Sequence, residues 1–459
     1  MKKTLRNIIF LALAGILLFG LNYGYRAIPI ISGYGAKNLC SCVFVSGRSV
    51  DDVKANELKV NPLLSAGTFE INWADSSATG DVFGLVKKKA IYRKGLGCTL
   101  VSELSEEEVR SQKYSLSSLS QPSDTLYWPY GTQMRDTSYA NVDYDKLNQA
   151  LENAFKEENP EVKVNTRGVV VVYKGTIIGE KYAENFNEQT PQMGWSMTKS
   201  VTATLIGMLV KDGKLDINQP APVTSWEDDR SEITVDHLLR MSSGLEWEEV
   251  YSGPSAAVSM LYEKADMGGY AASKPLQYQP DEVWYYSSGT SNILAKIVRE
   301  KVGEEDYYNY IRERLFEPLG MTTAVIEPDA SGTYVGSSYM YASPRDWAKF
   351  GLLYLNGGEW DGNQLLPDDW TDYVSTPTPG APTMEYGAHF WLNGNAPVEG
   401  QHVYYPDAPK DLFSANGFEG QRVFIIPSKD MVIVRLGQTK KRGSFDFNQF
   451  LKEVLGAVN

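Results

Sequence analysis

Histidine is almost missing from this chain. Its 459 residues include only His237, His389 and His402. A protein zinc site takes about four ligands, and three scattered histidines do not supply one, so no metal and no cofactor is expected. The same scarcity disfavours a histidine base. Cysteine is as sparse: Cys40, Cys42 and Cys98 all fall in the first quarter. In an oxidising compartment, either member of the Cys-x-Cys pair can bridge to Cys98, leaving the other free or available to a second chain. Cys40 and Cys42 point the same way along an extended chain and are poor partners for each other. Positive charge is also in deficit, with 44 Lys+Arg against 57 Asp+Glu and a formal net charge of -13. Such a surface has no excess of cations to displace counterions, which excludes a nucleic-acid backbone as partner.

What is present begins at the N-terminus. Lys2, Lys3 and Arg6 precede an unbroken apolar or glycine run from Ile8 to Leu21. A basic start followed by such a run is an export signal. It is short for a spanning helix, which needs about 20 residues, but Asn22, Tyr23 and Tyr25 extend it into an anchor with an aromatic belt. No clean A-x-A cleavage site follows, so an uncleaved anchor is favoured over a removed signal peptide. The body is therefore expected outside the cytoplasm, periplasmic or membrane-anchored, and the N-terminal segment is where membrane contact is expected.

The remainder divides by texture. Residues 26–140 read as an appendage and connector, with strand-like runs at Cys42–Val45, Thr68–Trp73, Val82–Val86 and Ala90–Tyr92. From residue 141 to 459 the pattern is richer. Tyr144–Glu157 has helical periodicity, Gly168–Tyr173 and Thr176–Tyr182 read as a hairpin, and an apolar helix ends at Asp212-Gly213. Arg422–Pro427 and Met431–Leu436 form a second hairpin, and Phe445–Val458 reads as a closing helix. Strands at both ends with helices between predict an α+β fold: an antiparallel sheet covered by terminal helices, with an inserted all-helical lobe.

The chemistry-bearing candidate is Trp195-Ser196-Met-Thr-Lys199-Ser. A serine hydroxyl needs an adjacent base, and no Gly-x-Ser-x-Gly elbow surrounds Ser196. Lysine can serve when burial makes its ammonium form costly. Residues three apart share a helix face, and Lys199 is the one charge in a stretch otherwise apolar or small as far as Val210. A helix apolar on nearly all sides is a buried one. The tetrapeptide alone is weak evidence, since a helix-capping serine with a surface lysine gives the same letters. Tyr286 lies in Tyr286-Ser287-Ser288, just before an apolar helix over Ile293–Val302, and is a candidate proton relay, although the chain holds 28 tyrosines.

These three residues, with Asn416-Gly417-Phe418-Glu-Gly420 before the last hairpin, resemble the three boxes of the β-lactamase-related serine hydrolases. That family includes class C β-lactamases, D-alanyl-D-alanine carboxypeptidases, esterases and 6-aminohexanoate-dimer hydrolases. Ile233–Leu245 and Ser343–Gly358 resemble family segments in the same order. The resemblance implies a β-lactamase/transpeptidase-like fold, acylation of Ser196, and proton handling by Lys199 and Tyr286. It implies an oxyanion hole from the backbone N–H groups of Ser196 and Phe418, with Trp195, Ser288, Asn416 and Gly417 binding substrate.

Two departures bear on substrate. The second box is Tyr-x-Asn in the β-lactamases but ends in Ser288 here, and the third usually opens on Lys or His but opens on Ala415 here. Without that cation, the carboxylate of a β-lactam or D-alanyl peptide has less to offset its desolvation, unless Arg422 substitutes. The expected partner is a small ester or amide, met by an aromatic rim of Trp195, Trp284, Tyr285, Trp391 and Phe418. Two alternatives stand beside this: a β-lactamase or D-alanyl-D-alanine carboxypeptidase, and a penicillin-binding or envelope-peptide sensor without turnover. None of the three histidines is assigned to catalysis; His237 is expected to be a structural hydrogen-bonder.

Overall fold

The computed structural model describes residues 2–59, 62–159, 162–394 and 404–459, so His402 lies outside the described residues. The chain forms two compact units. The N-terminal unit holds the first 111 residues together with 247–266 and 329–332; the main unit holds the rest.

In the N-terminal unit one helix, α1, runs unbroken over Lys2–Phe44. Its described side chains up to Arg26 are almost all exposed, whereas Ala36, Leu39 and Cys40 are fully buried. Cys42–Val45, expected as a strand, is therefore the end of a helix and its following turn. Cys40 and Cys42 are not extended neighbours. Cys40 bridges to Cys98, and Cys42 is a buried thiol outside the bridge. Four antiparallel strands form a meander: β1 Gly67–Asn72, β2 Ser77–Val82, β3 Val86–Arg93 and β4 Gly97–Val101. The apolar stretch Val82–Val86 is not one strand but the turn between β2 and β3. Phe83 and Gly84 both take positive φ there, which a continuous strand cannot accommodate.

The main unit is built on a six-stranded antiparallel sheet. Its strands in chain order are β5 Thr166–Tyr173, β6 Thr176–Tyr182, β9 Trp391–Leu392, β10 Phe413–Gly417, β11 Gln421–Ile426 and β12 Met431–Gly437. Two short strands outside it, β7 Gln192–Met193 and β8 Met340–Ala342, pair with each other. The spatial order of the large sheet is β9-β10-β11-β12-β5-β6, so the first hairpin is added to the edge of the last. Val169, Val171, Phe424, Ile426 and Ile433 on one face pack with Leu147 and Leu151 of α2 (Tyr144–Ala154) and with Leu451 and Val454 of α6 (Phe447–Gly456). The opposite face is covered through Val423 and Val432, which lie directly under Gly351 of α5 (Pro344–Leu355). A Cβ at Gly351 would stand 2.5 Å from Val432, so glycine sets how closely that helix approaches. Strands covered on both sides read as near-continuous apolar runs; β5 and β12 are buried at every position and are apolar apart from Thr166, Arg167 and Arg435.

Between β6 and β9 the chain is mainly helical. Two of its helices carry the candidate site: α3 (Met197–Lys211) and α4 (Ser288–Val302).

Candidate active site

The site begins with a tight turn. Trp195 has φ +49, an unfavourable conformation for a bulky residue. The turn is held because the Trp195 carbonyl accepts from both the amide and the hydroxyl of Thr198, the latter at 2.7 Å. Ser196 then occupies the N-cap of α3 but makes no capping bond with its side chain, which leaves the hydroxyl free of that duty. Its backbone amide belongs to the first turn, where N–H groups have no intrahelical acceptor.

Every residue of α3 from Met197 to Leu209 is buried, Lys199 included at 1 % exposure. The Lys199 ammonium donates to Ser196 Oγ at 3.3 Å, to Ser288 Oγ at 2.9 Å and to the Ser337 carbonyl at 3.0 Å. These acceptors are neutral oxygens, which orient the ammonium without adding a counter-charge. Ser288 is the first residue of α4, so the helix begins five positions earlier than the apolar pattern suggests. Tyr286 lies two residues before it, with its ring centroid 5.0 Å from Lys199 Nζ. The Tyr286 loop is pinned from below. Met241, itself at φ +63, accepts at sulfur from the Ser287 amide and the Thr290 hydroxyl.

The third box approaches from the sheet. A Cβ on Gly417 would lie 2.1 Å from the Gly194 carbonyl, so β10 ends hard against the turn that carries Ser196. Trp195 and Phe418 meet edge to face at 5.7 Å between centroids. Arg435, fully buried, donates to the carbonyls of Glu419 and Gly420 at 3.3 and 3.0 Å and so fixes the segment just after Phe418.

The expected rim separates into two groups. Trp195 and Phe418 form one; Trp284, Tyr286 and Trp391 pack around Tyr386 in the other. Tyr285 is half exposed. Ala415 pairs with Val423, on the face toward α5, and is fully buried. Arg422 does not take its place. It pairs with Asn416, shares the opposite face with Phe424, stacks on Phe447 at 4.6 Å and donates to the Gly417 carbonyl. Asn416 lies on that same face, and its Oδ1 is buried without a hydrogen-bond partner among the described residues.

The two described histidines are used elsewhere. His237 accepts from the Thr234 amide at Nδ1 and faces Asp281 at 3.2 Å through Nε2, closing a helix cap. His389 is buried, bonded to Ser291 Oγ and the Leu239 carbonyl. Burial, helped by the charge of Lys199, pushes it down to about 3 and keeps it neutral.

Sequence reasoning missed Ser337 and Arg435. Ser337 acts through its carbonyl, which any residue carries, and no side-chain pattern marks it. Its position follows from β8: the Gly194 amide donates to the Met340 carbonyl and the Met340 amide to Thr198 Oγ1. Arg435 did leave a signal, as a lone charge inside an otherwise apolar strand.

The match to known families covers residues 137–455, under the description Beta-lactamase. The chain belongs to the β-lactamase family. Among relatives of this β-lactamase-family protein is the 6-aminohexanoate-dimer hydrolase of Paenarthrobacter ureafaciens. It is 22 % identical over 298 residues, covering 59 % of this chain and 72 % of the relative. The lovastatin esterase of Penicillium rubens is 26 % identical over 259 residues, 49 % of this chain and 60 % of the relative. The octameric penicillin-binding protein homologue from Pyrococcus abyssi shares the fold with a TM-score of 0.52. It is 20 % identical, and the match covers 69 % of this chain and 77 % of that one. The β-lactamase-family protein is thus a member of a serine-hydrolase family with esterase and 6-aminohexanoate-dimer hydrolase homologues.

Proposed function

We propose that this protein hydrolyses ester or amide bonds of a small substrate through an acyl-enzyme on Ser196. The observation that carries the proposal is the dry ammonium of Lys199, one helical turn from Ser196 Oγ, with the Tyr286 ring beside it.

In the proposed cycle, the Lys199–Tyr286 pair begins one proton short, as amine beside phenol or ammonium beside phenolate, and accepts the Ser196 hydroxyl proton as Oγ bonds to the substrate carbonyl carbon. The tetrahedral oxyanion rests on the Ser196 and Phe418 amides, and losing one such donor typically costs about a hundredfold or more. As the carbonyl re-forms, the bond to the alcohol or amine breaks and the leaving group takes the proton. Water then attacks the acyl-enzyme by the same route and frees the acid. The buried Ala415 methyl, and an Arg422 turned to the other face, favour a substrate without the carboxylate that a β-lactam or D-alanyl peptide presents.

The test is hydrolysis of p-nitrophenyl esters beside amide and β-lactam panels. Ser196→Ala and Lys199→Ala are each expected to lower ester turnover by roughly a thousandfold. Unchanged rates in both would remove these residues from the mechanism. A fluorophosphonate probe is expected to label Ser196 and to fail on Ser196→Ala.

We propose further that α1 up to Tyr25 is an uncleaved anchor that holds the protein at the outer face of the cytoplasmic membrane. The apolar exposed stretch, the basic residues before it and the Cys40–Cys98 bridge after it support this reading.

A further inference from the structure

Four exposed apolar side chains of the N-terminal unit, Phe83, Leu85, Val250 and Tyr251, lie toward the end of it from which the first part of α1 emerges, whereas Trp73 is exposed at the other end. The direction of β2 along α1 is set by contacts at two levels. Near the end of α1, Phe44 stacks on Tyr92 at 5.3 Å, and the Tyr92 amide donates to the Ser76 carbonyl at the start of β2. Further back, the backbone of Gly80 is so close to Ser32 and Ala36 that a Cβ would stand 2.3 Å from the Ser32 carbonyl oxygen. From Ser76 to Gly80 the strand advances roughly 13 Å. From Phe44 back to the Ser32–Ala36 level the helix covers roughly 15 Å. The two therefore run antiparallel and nearly in step.

Continuing β2 by three residues, roughly 10 Å, uses about seven residues of helix and brings the hairpin tip to the level of Tyr25 to Ala27. At that tip Phe83 is 63 % and Leu85 is 67 % exposed. A second segment reaches the same level. A Cβ on Gly253 would stand 3.1 Å from the Tyr23 hydroxyl, and the adjacent Val250 and Tyr251 are 46 % and 48 % exposed. Glu249 beside them is occupied, accepting from the Trp247 indole and the Tyr251 hydroxyl. Lys87 and Lys88 follow the hairpin tip, and Arg26 follows the anchor.

We propose that this end of the N-terminal unit is a lipid-contacting face. Phe83, Leu85, Val250 and Tyr251 enter the interfacial layer around the exit of α1, and Arg26, Lys87 and Lys88 meet anionic headgroups. Contiguous exposed apolar groups mark an interaction surface. Apolar insertion backed by basic residues is the chemistry a bilayer interface selects. The proposal rests on the anchor reading of α1 and adds that the folded unit itself is seated on the membrane.

The experiment uses the full-length chain in vesicles of phosphatidylethanolamine and phosphatidylglycerol. Single cysteines replace Leu13, Leu85, Tyr251 or Trp73 and carry a nitroxide label; the unsubstituted chain, with Cys42 buried, is the labelling blank. Trp73 is the control, exposed at the opposite end beside Phe44. Collisions with oxygen and with a water-soluble nickel chelate are compared. Labels at 13, 85 and 251 are expected to be shielded from nickel, and the label at 73 open to it. Lipid-like behaviour at 13 with 85 and 251 as open to nickel as 73 would overturn the proposal and leave the anchor standing. Nickel access at 13 would overturn both.

Discussion

Ser288 has no part in the proposed covalent chemistry, yet it holds the ammonium of Lys199 at 2.9 Å. Ser288→Ala is expected to lower kcat roughly ten- to a hundredfold with KM little changed, because the group that handles protons would be less firmly placed. Steady-state ester kinetics check this. His389 gives a second test. Its pKa is pushed down from the ordinary 6.5 to about 3 by burial, so between those values the unfolded chain binds the extra proton and the folded one does not. Its contribution to stability is fully present above about pH 6.5 and is lost as pH falls toward 3. Denaturant unfolding of wild type should weaken over that interval more steeply than unfolding of His389→Gln.

At the scale of elements, the approach of β10 to the α3 turn is the most sensitive contact. Gly417→Ala would place a methyl 2.1 Å from the Gly194 carbonyl, which neither backbone can tolerate without moving. The expected outcome is a fall in ester turnover of a hundredfold or more, roughly the loss of one oxyanion donor, with the protein still folded by circular dichroism. The elements themselves were largely legible. Val169–Val172 and Met431–Leu436 are buried on both faces and so read as apolar runs, the second interrupted by Arg435, and α3 announced its burial by lacking charges other than Lys199 before its last residue, Lys211. Less was legible where local pattern and tertiary packing disagree. Val82–Val86 has strand-forming residues around a glycine and became a turn; Cys42–Val45 is β-branched and aromatic yet ends a helix that packing sustains. Ser196, Lys199 and Tyr286 could be nominated because their side chains carry chemistry. The Ser337 carbonyl could not, because its acceptor is common to all residues.

Across the whole molecule, the three cysteines resolve into one bridge and one buried thiol. Cys40–Cys98 closes a separation of 58 residues, which in the chain-entropy account is worth about 4 kcal/mol. Cys98→Ser is therefore expected to lower the unfolding midpoint of the N-terminal unit, followed by thermal melts in detergent with and without reductant. Two excursions from later in the chain, residues 247–266 and 329–332, complete that same unit. It cannot finish folding until most of the polypeptide has been made, and this long-range closure is invisible to any reading based on neighbouring residues.

The unbroken course of α1 from Lys2 to Phe44 has a mechanical corollary. A continuous helix fixes rotation as well as distance. One alanine inserted after Arg26 would swivel everything downstream in the N-terminal unit by about 100° and lift it by about 1.5 Å, whereas a seven-residue insertion would restore the original azimuth and raise the unit by roughly 10 Å. Helical phase, more than tether length, governs which side of that unit looks down at the bilayer.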